Sequence, residues 1–162
     1  MINLNELLGR IAALAEECMS GISVNADAVP YFYHVQESHP YFTARIRDAQ
    51  IAPNSEDFDL KTLNVQLWLV IGNVGSGVDG ERESEMYTWI PQLTAYVNNR
   101  DWLQTVAGGT YPDPMENLIQ ARVVSWQTLA TLQSRGSRLA EQIGVQFNIQ
   151  CQFIDDVDPA YT

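Results

Sequence analysis

The segment from Ile143 to Phe153 carries the most restrictive pattern in this 162-residue chain. Every second side chain over these eleven residues is apolar, and the residues between them are polar or glycine. The apolar set is Ile143, Val145, Phe147, Ile149, Cys151 and Phe153. A period of two predicts a β-strand with one buried face and one polar face, which is typical of an antiparallel sheet.

Three more segments have the texture of strands. Apolar residues alternate with polar ones within 41–51 and again within 63–71, and the turn-forming sequence 53–57 lies between them. Two alternating segments joined by a short turn predict an antiparallel hairpin. A fourth strand is predicted within 118–132, where Val123, Val124 and Trp126 lie.

Two segments have helical periodicity instead. Leu4, Leu7 and Ile11 begin an apolar stripe that predicts an amphipathic helix over about 3–20, with Asn3 as its N-cap and Gly21 as a left-handed C-cap. A second helix is predicted near 82–101. Pro91 conflicts with that helix because proline removes a backbone hydrogen bond, so we expect either a kink there or a helix that begins near Pro91.

The order of these elements predicts an α+β fold, a largely antiparallel sheet with both helices packed on one face. Residues 1–162 suit a single domain, with a mobile loop at about 72–85 and an acidic tail at about 155–162. The unbroken apolar runs are far shorter than the ~20 residues that cross a bilayer, so we expect a soluble protein. The N-terminus has no basic residue before its apolar stretch, so a secretory signal is not expected.

The charge balance disfavours tight nucleic-acid binding by a monomer. Nine Lys and Arg stand against 20 Asp and Glu, which gives a net charge of −11, and Lys61 is the only lysine. Cys18 and Cys151 fall at apolar positions of the predicted helix and strand, so we interpret both as free, buried thiols.

The chain has no motif that predicts catalysis, a cofactor or a metal. The glycine-rich loop 72–80 lacks the Lys and Ser or Thr of a phosphate-binding loop and runs into acidic residues that would repel a phosphate. The acidic residues also lack the spacing of a calcium loop, so they favour a solvated helix start. Any general base or metal ligand of the histidine type would be His34 or His39, and their spacing places them on opposite faces of a strand.

Several residues are instead candidates for an interface between proteins. Gly75, Gly77, Asp79, Glu81 and Glu83 lie in the loop or the helix start, where a segment can become ordered on contact. Trp68 and Asn148 lie on the polar phase of their strands, and Trp126 is predicted to share a phase with Val124. Either the helices or a partner would then have to cover the tryptophan-bearing second face.

The succession of elements resembles the tail terminator family of long-tailed bacteriophages. The resemblance covers about residues 3–155. It includes an N-terminal amphipathic helix, an aromatic strand region, a strand that ends in Leu69-Val70-Ile71-Gly72-Asn73 and leads into a loop, a helix containing Trp89-Ile90-Pro91, and a closing hairpin with alternating glutamines. The likeness is one of architecture, so no functional residue is transferred from the family.

This resemblance implies a structural virion protein that is not an enzyme and needs no cofactor. Its copies would form a ring, typically a homohexamer, that is assembled in the host cytoplasm and located in the tail and neck of the virion. The implied partners are the tail tube protein, a neck or connector protein and, in a contractile tail, a sheath protein. A bore lined by part of the acidic charge would let genome DNA pass without specific binding, and no membrane is involved.

Two other functions remain open from the residues alone. The chain could be a different neck, head-completion or accessory protein of the same particle. It could also be a small acidic α+β enzyme or ligand-binding domain, with a pocket around His34 or His39.

Overall fold

The computed structural model describes residues 2–22, 27–28, 40–73, 80–99, 115–135 and 138–156. Over these residues the chain forms helix α1 (Leu4–Gly21), strands β1 (Asp27–Ala28), β2 (Tyr41–Pro53) and β3 (Phe58–Asn73), helix α2 (Gly80–Asn99), and strands β4 (Leu118–Arg135) and β5 (Arg138–Asp156). The predicted α+β class is confirmed.

The strands form one sheet in the order β1-β2-β3-β5-β4. All neighbours are antiparallel except β1, which pairs in parallel with only Tyr41 and Phe42 of β2. The predicted β2–β3 hairpin is confirmed, and its turn is held by Ser55, whose Oγ accepts hydrogen bonds from the N–H groups of Asp57 and Phe58 at 3.3 and 3.1 Å. The second hairpin, β4–β5, lies on the other side of β3.

Both helices cover the same face of the sheet. The apolar stripe of α1, from Leu7 to Met19, joins one buried core with Met86 and Leu93 of α2 and with the apolar phase of the strands. The sheet residues of that core include Phe42, Leu63, Val65, Leu67, Leu69, Val123, Val145, Phe147, Ile149, Cys151 and Phe153. The alternating pattern of β5 therefore identifies its buried face correctly.

The ends of α1 differ in part from the prediction. Asn3 caps the helix, because its Oδ1 accepts a hydrogen bond from the Glu6 N–H at 3.1 Å. Gly21 is the last helical residue rather than a left-handed cap, and the C-cap is Ile22 with φ −106°. The Glu6 carboxylate pairs with the buried Arg10 at 2.8 Å, so this charge on the apolar side of the helix has its counter-ion one turn away.

The predicted alternative in which the second helix begins near Pro91 was wrong. Helix α2 runs from Gly80 through Pro91 to Asn99, and Pro91 lies on its exposed side. An exposed proline is tolerated there because Met86, Trp89, Ile90, Leu93 and Val97 still bury a continuous stripe on the opposite side.

Candidate functional site

The outermost strand β4 exposes three large apolar side chains. Ile119, Val124 and Trp126 have exposed fractions of 49, 51 and 47%. Beyond β4 the described part of the chain places no further strand, so the backbone on its outer side has no sheet partner there. A long edge strand with apolar side chains is a template for pairing with another chain.

Two irregularities in the β4–β5 pairing explain why Ile119 and Val124 are exposed. The register shifts between Leu118 and Gln120 and again between Val123 and Ser125, so Ile119 and Val124 are each the extra residue of a bulge. Asn98 of α2 holds the second irregularity in place, because its Oδ1 accepts a hydrogen bond from the Val123 N–H at 2.7 Å.

The second bulge also overturns the prediction for Trp126. A strand without a bulge would place Trp126 on the same face as Val124. The extra residue moves Trp126 to the helix-covered face, where it pairs with the buried Phe147. Because β4 is the outermost strand, this tryptophan lies at the margin of the core and half of it remains exposed.

Trp68 does lie on the face opposite the helices, between Thr43 of β2 and Gln146 of β5. The helices do not cover this face, so that alternative from the sequence was wrong. Trp68 itself is half-buried, and Thr43 and Gln146 are buried beside it.

Asn148, the other strand candidate, belongs to a polar network on the same face. Its Oδ1 accepts a hydrogen bond from Gln146 Nε2 at 2.8 Å, and its Nδ2 donates to Ser125 Oγ at 2.9 Å. On β2 and β3, Arg45 Nε donates to Gln66 Oε1 at 3.1 Å. Polar side chains on this face, including the buried Gln66 and Gln146, therefore find hydrogen-bond partners in one another.

The loop candidates are placed only in part. Gly75, Gly77 and Asp79 lie outside the described residues, whereas Glu81 is in the first turn of α2. Glu83 is exposed and accepts a hydrogen bond from the Tyr87 hydroxyl at 3.3 Å. Carboxylates in the first turns of a helix interact favourably with its dipole, so the acidic run does mark a helix start.

An ion pair that the sequence did not predict links strands β3 and β5 near the C-terminal end of β5. Asp155 was assigned to an acidic tail, but it belongs to β5, its side chain is 1% exposed, and its Oδ2 lies 2.7 Å from Lys61 Nζ. Burial by itself raises the pKa of Asp155, but its cationic neighbours, Lys61 first among them, outweigh burial and hold the pKa below its ordinary value. The single lysine of the chain therefore neutralises a buried carboxylate.

We expect this pair to make stability depend on pH. Because the pKa of Asp155 is lower in the folded state, the ionised carboxylate stabilises the fold above its unfolded pKa of about 4, and this contribution is lost as the pH falls through the folded pKa. Asp155→Asn should lower the free energy of unfolding by about 1–3 kcal/mol at pH 7, because Lys61 loses a charged partner. Urea unfolding at pH 7 and pH 3 should show that the difference from the wild type shrinks in acid.

The matched control is Asp57→Asn in the exposed β2–β3 turn. It should change stability by less than about 0.5 kcal/mol at either pH. Equal effects of the two substitutions would contradict a stabilising role for the Lys61–Asp155 pair.

The two cysteines are free and buried, as predicted. Burial raises the pKa of the Cys151 thiol to about 12, and burial followed by the charge of Glu17 raises that of Cys18. Both thiols are therefore protonated at neutral pH and are poor nucleophiles.

The described residues contain no group of three or more His, Cys, Asp or Glu side chains that could hold a metal ion. His34 and His39 lie outside these residues. Neither described helix is long and apolar enough to span a membrane.

Comparison with known proteins does not identify a family for this chain. No protein-family model matches the chain, and no curated protein matches it in sequence.

Proposed function

We propose that this protein is a structural subunit that joins copies of itself into a ring, as a tail terminator of a long-tailed bacteriophage does when it caps the tail tube and connects it to the neck. The observation that carries the proposal is the outer edge of β4, where Ile119, Val124 and Trp126 are each about half exposed. A ring needs a surface that another subunit covers, and an apolar strand edge is such a surface.

The size of this surface predicts weak self-association of the free subunit. Covering the exposed halves of three large apolar side chains contributes about 3–4 kcal/mol, whereas association costs about 4–15 kcal/mol in lost translational and rotational freedom. Strand pairing and contacts with a tube must supply the rest. We therefore expect the ring to form mainly where a template holds the subunits together.

The net charge also opposes assembly in solution. Six copies at −11 each carry −66, so the subunits repel one another at low ionic strength. Salt screens this repulsion, because the Debye length falls from about 30 Å at 0.01 M to about 3 Å at 1 M.

The expected result is that purified protein mixed with tail tubes caps one end of each tube. Electron microscopy of negatively stained tubes should show a ring at the head-proximal end, and capping should increase as the salt concentration rises from 0.01 to about 0.3 M. The control is the same protein without tubes, which should remain largely monomeric in light scattering.

Bare tubes at every salt concentration would contradict the proposal. Protein bound along the sides of the tubes would instead favour an accessory role in the particle. The proposed passage of DNA through the ring additionally requires an acid-bearing surface, such as the exposed Glu83 and Glu85 of α2, to face the bore.

A further inference from the structure

The described sheet has two strand edges that are wholly or largely unpaired, and they differ from each other. One is the outer side of β4. The other is the outer side of β2 from Thr43 onwards, since β1 pairs with only Tyr41 and Phe42. A closed ring requires two different surfaces that fit each other, one at each end of the subunit.

The direction of the strands allows these two ends to join. β2, β3, β5 and β4 alternate in direction, so β2 and β4 run in opposite directions. When a copy is rotated about a ring axis that lies roughly along the strands, its β2 arrives beside the β4 of its neighbour in antiparallel orientation. The joined sheet would then be antiparallel from one copy to the next.

The outer edges of β2 and β4 are both free of bulges in the same cross-strand row of the sheet. The cross-strand register places Ala44, Leu67, Phe147 and Trp126 in one row on the helix-covered face. The bulge of β2 begins only after Ile46, and that of β4 ends before Ser125. Short stretches around Ala44 and Trp126 are therefore free of the bulges that protect strand edges elsewhere.

The side chains of this row are complementary in size. Trp126 is large and half exposed at the β4 end, whereas Ala44 is small and partly buried at the β2 end, with Ile46 one step along the same face. A neighbour's β2 at this height would cover Trp126 with Ala44 and Ile46.

Acidic side chains are scarce along the same two edges. From Asn117 to Ala140 the chain contains no Asp or Glu and three arginines, although the whole chain carries −11. β2 contains two arginines and one acid, Asp48. A joint between these strands therefore keeps the acidic side chains, which carry the net charge of the protein, away from the contact.

We infer that β4 of one copy pairs antiparallel with β2 of the next copy, and that Trp126 packs against the neighbour's Ala44 and Ile46. This inference rests on the proposed ring and specifies its joint. Within one chain, β2 and β4 are separated by three strand spacings, about 14 Å. A short cross-linker between residues on these two strands can therefore join only different copies.

The test uses Ala44→Cys together with Thr128→Cys, which lies one step beyond Trp126 on the same face and is exposed. The protein, incubated with tail tubes at about 0.3 M salt so that subunits are held together, is treated with a bismaleimide too short to reach across one sheet. Cys18 and Cys151 are buried, so they should remain silent. Denaturing electrophoresis should show a ladder from two to six copies, and adding Trp126→Arg should reduce the cross-linked fraction at least tenfold.

Control variants distinguish β4–β2 pairing from other contacts between copies. Glu83→Cys with Thr128→Cys, which pairs an exposed helix position with the same edge, should give no ladder. Dimers from Thr128→Cys alone would show that β4 pairs with another β4 and would overturn the inference. The absence of a ladder, or a ladder that Trp126→Arg leaves unchanged, would also overturn it.

Failure of the inference is distinguishable from failure of the proposed function. Rings on tail tubes without a ladder would reject the β4–β2 joint and leave the terminator role standing. A ladder without capped tubes would support the joint and reject that role.

Discussion

Phe147→Asp is expected to prevent folding. The Phe147 side chain is 1% exposed at the centre of the core, between Leu67 of β3 and Trp126 of β4. Removing a buried phenylalanine costs about 3–5 kcal/mol, and burying an unpaired carboxylate adds several more. The sum reaches the total stability of a typical domain, about 5–15 kcal/mol. Circular dichroism should show loss of the cooperative urea transition that the wild type has.

Gln150→Asp is the matched control on the same strand. Gln150 lies on the polar face, half-buried, in a row with Asn64 and Arg122. A carboxylate there meets water and a neighbouring cation, so the free energy of unfolding should change by less than about 1 kcal/mol. Equal stability of the two variants would mean that the assignment of faces in β5 is wrong.

Gly144→Ala is expected to destabilise the fold strongly, although it adds a single methyl group. A Cβ at Gly144 would lie well inside van der Waals contact with the Leu69 carbonyl oxygen and would crowd the Val70 Cα. Both neighbours are backbone of the central strand β3, beside its irregularity at Val70 to Gly72, so no flexible side chain can move aside. We expect a loss of about 3 kcal/mol or more in urea unfolding.

Gly21→Ala provides the comparison, because nothing lies within 4 Å of a Cβ at Gly21. Gly21 is the last residue of α1, and its φ is not left-handed. Alanine should therefore leave stability unchanged or raise it by up to about 1 kcal/mol. A Gly144→Ala variant as stable as Gly21→Ala would contradict the close approach of β5 to β3.

Local alternation along a strand predicted the face correctly for some interface candidates and wrongly for another. Trp68 and Asn148 lie on the predicted polar face because the pairing of β3 with β5 keeps one register from Phe58 to Val70. Trp126 was placed on the wrong face because one extra residue, Val124, reverses the alternation of β4. The sequence around Val124 carries no glycine or other signal of a bulge, and the hydrogen bond from Val123 to Asn98 comes from a distant helix.

Local periodicity by itself determined the identity of the main elements: the amphipathic helix α1, the β2–β3 hairpin and the one-sided strand β5. Side-chain spacing along the chain is enough for this, because a helix and a strand repeat with different periods. Only the tertiary structure decided that β5 lies between β3 and β4, that Asp155 is buried against Lys61, and that Trp126 lies at an exposed edge. These features depend on pairing between residues far apart in sequence, where burial, register and bulges are settled by the whole sheet at once.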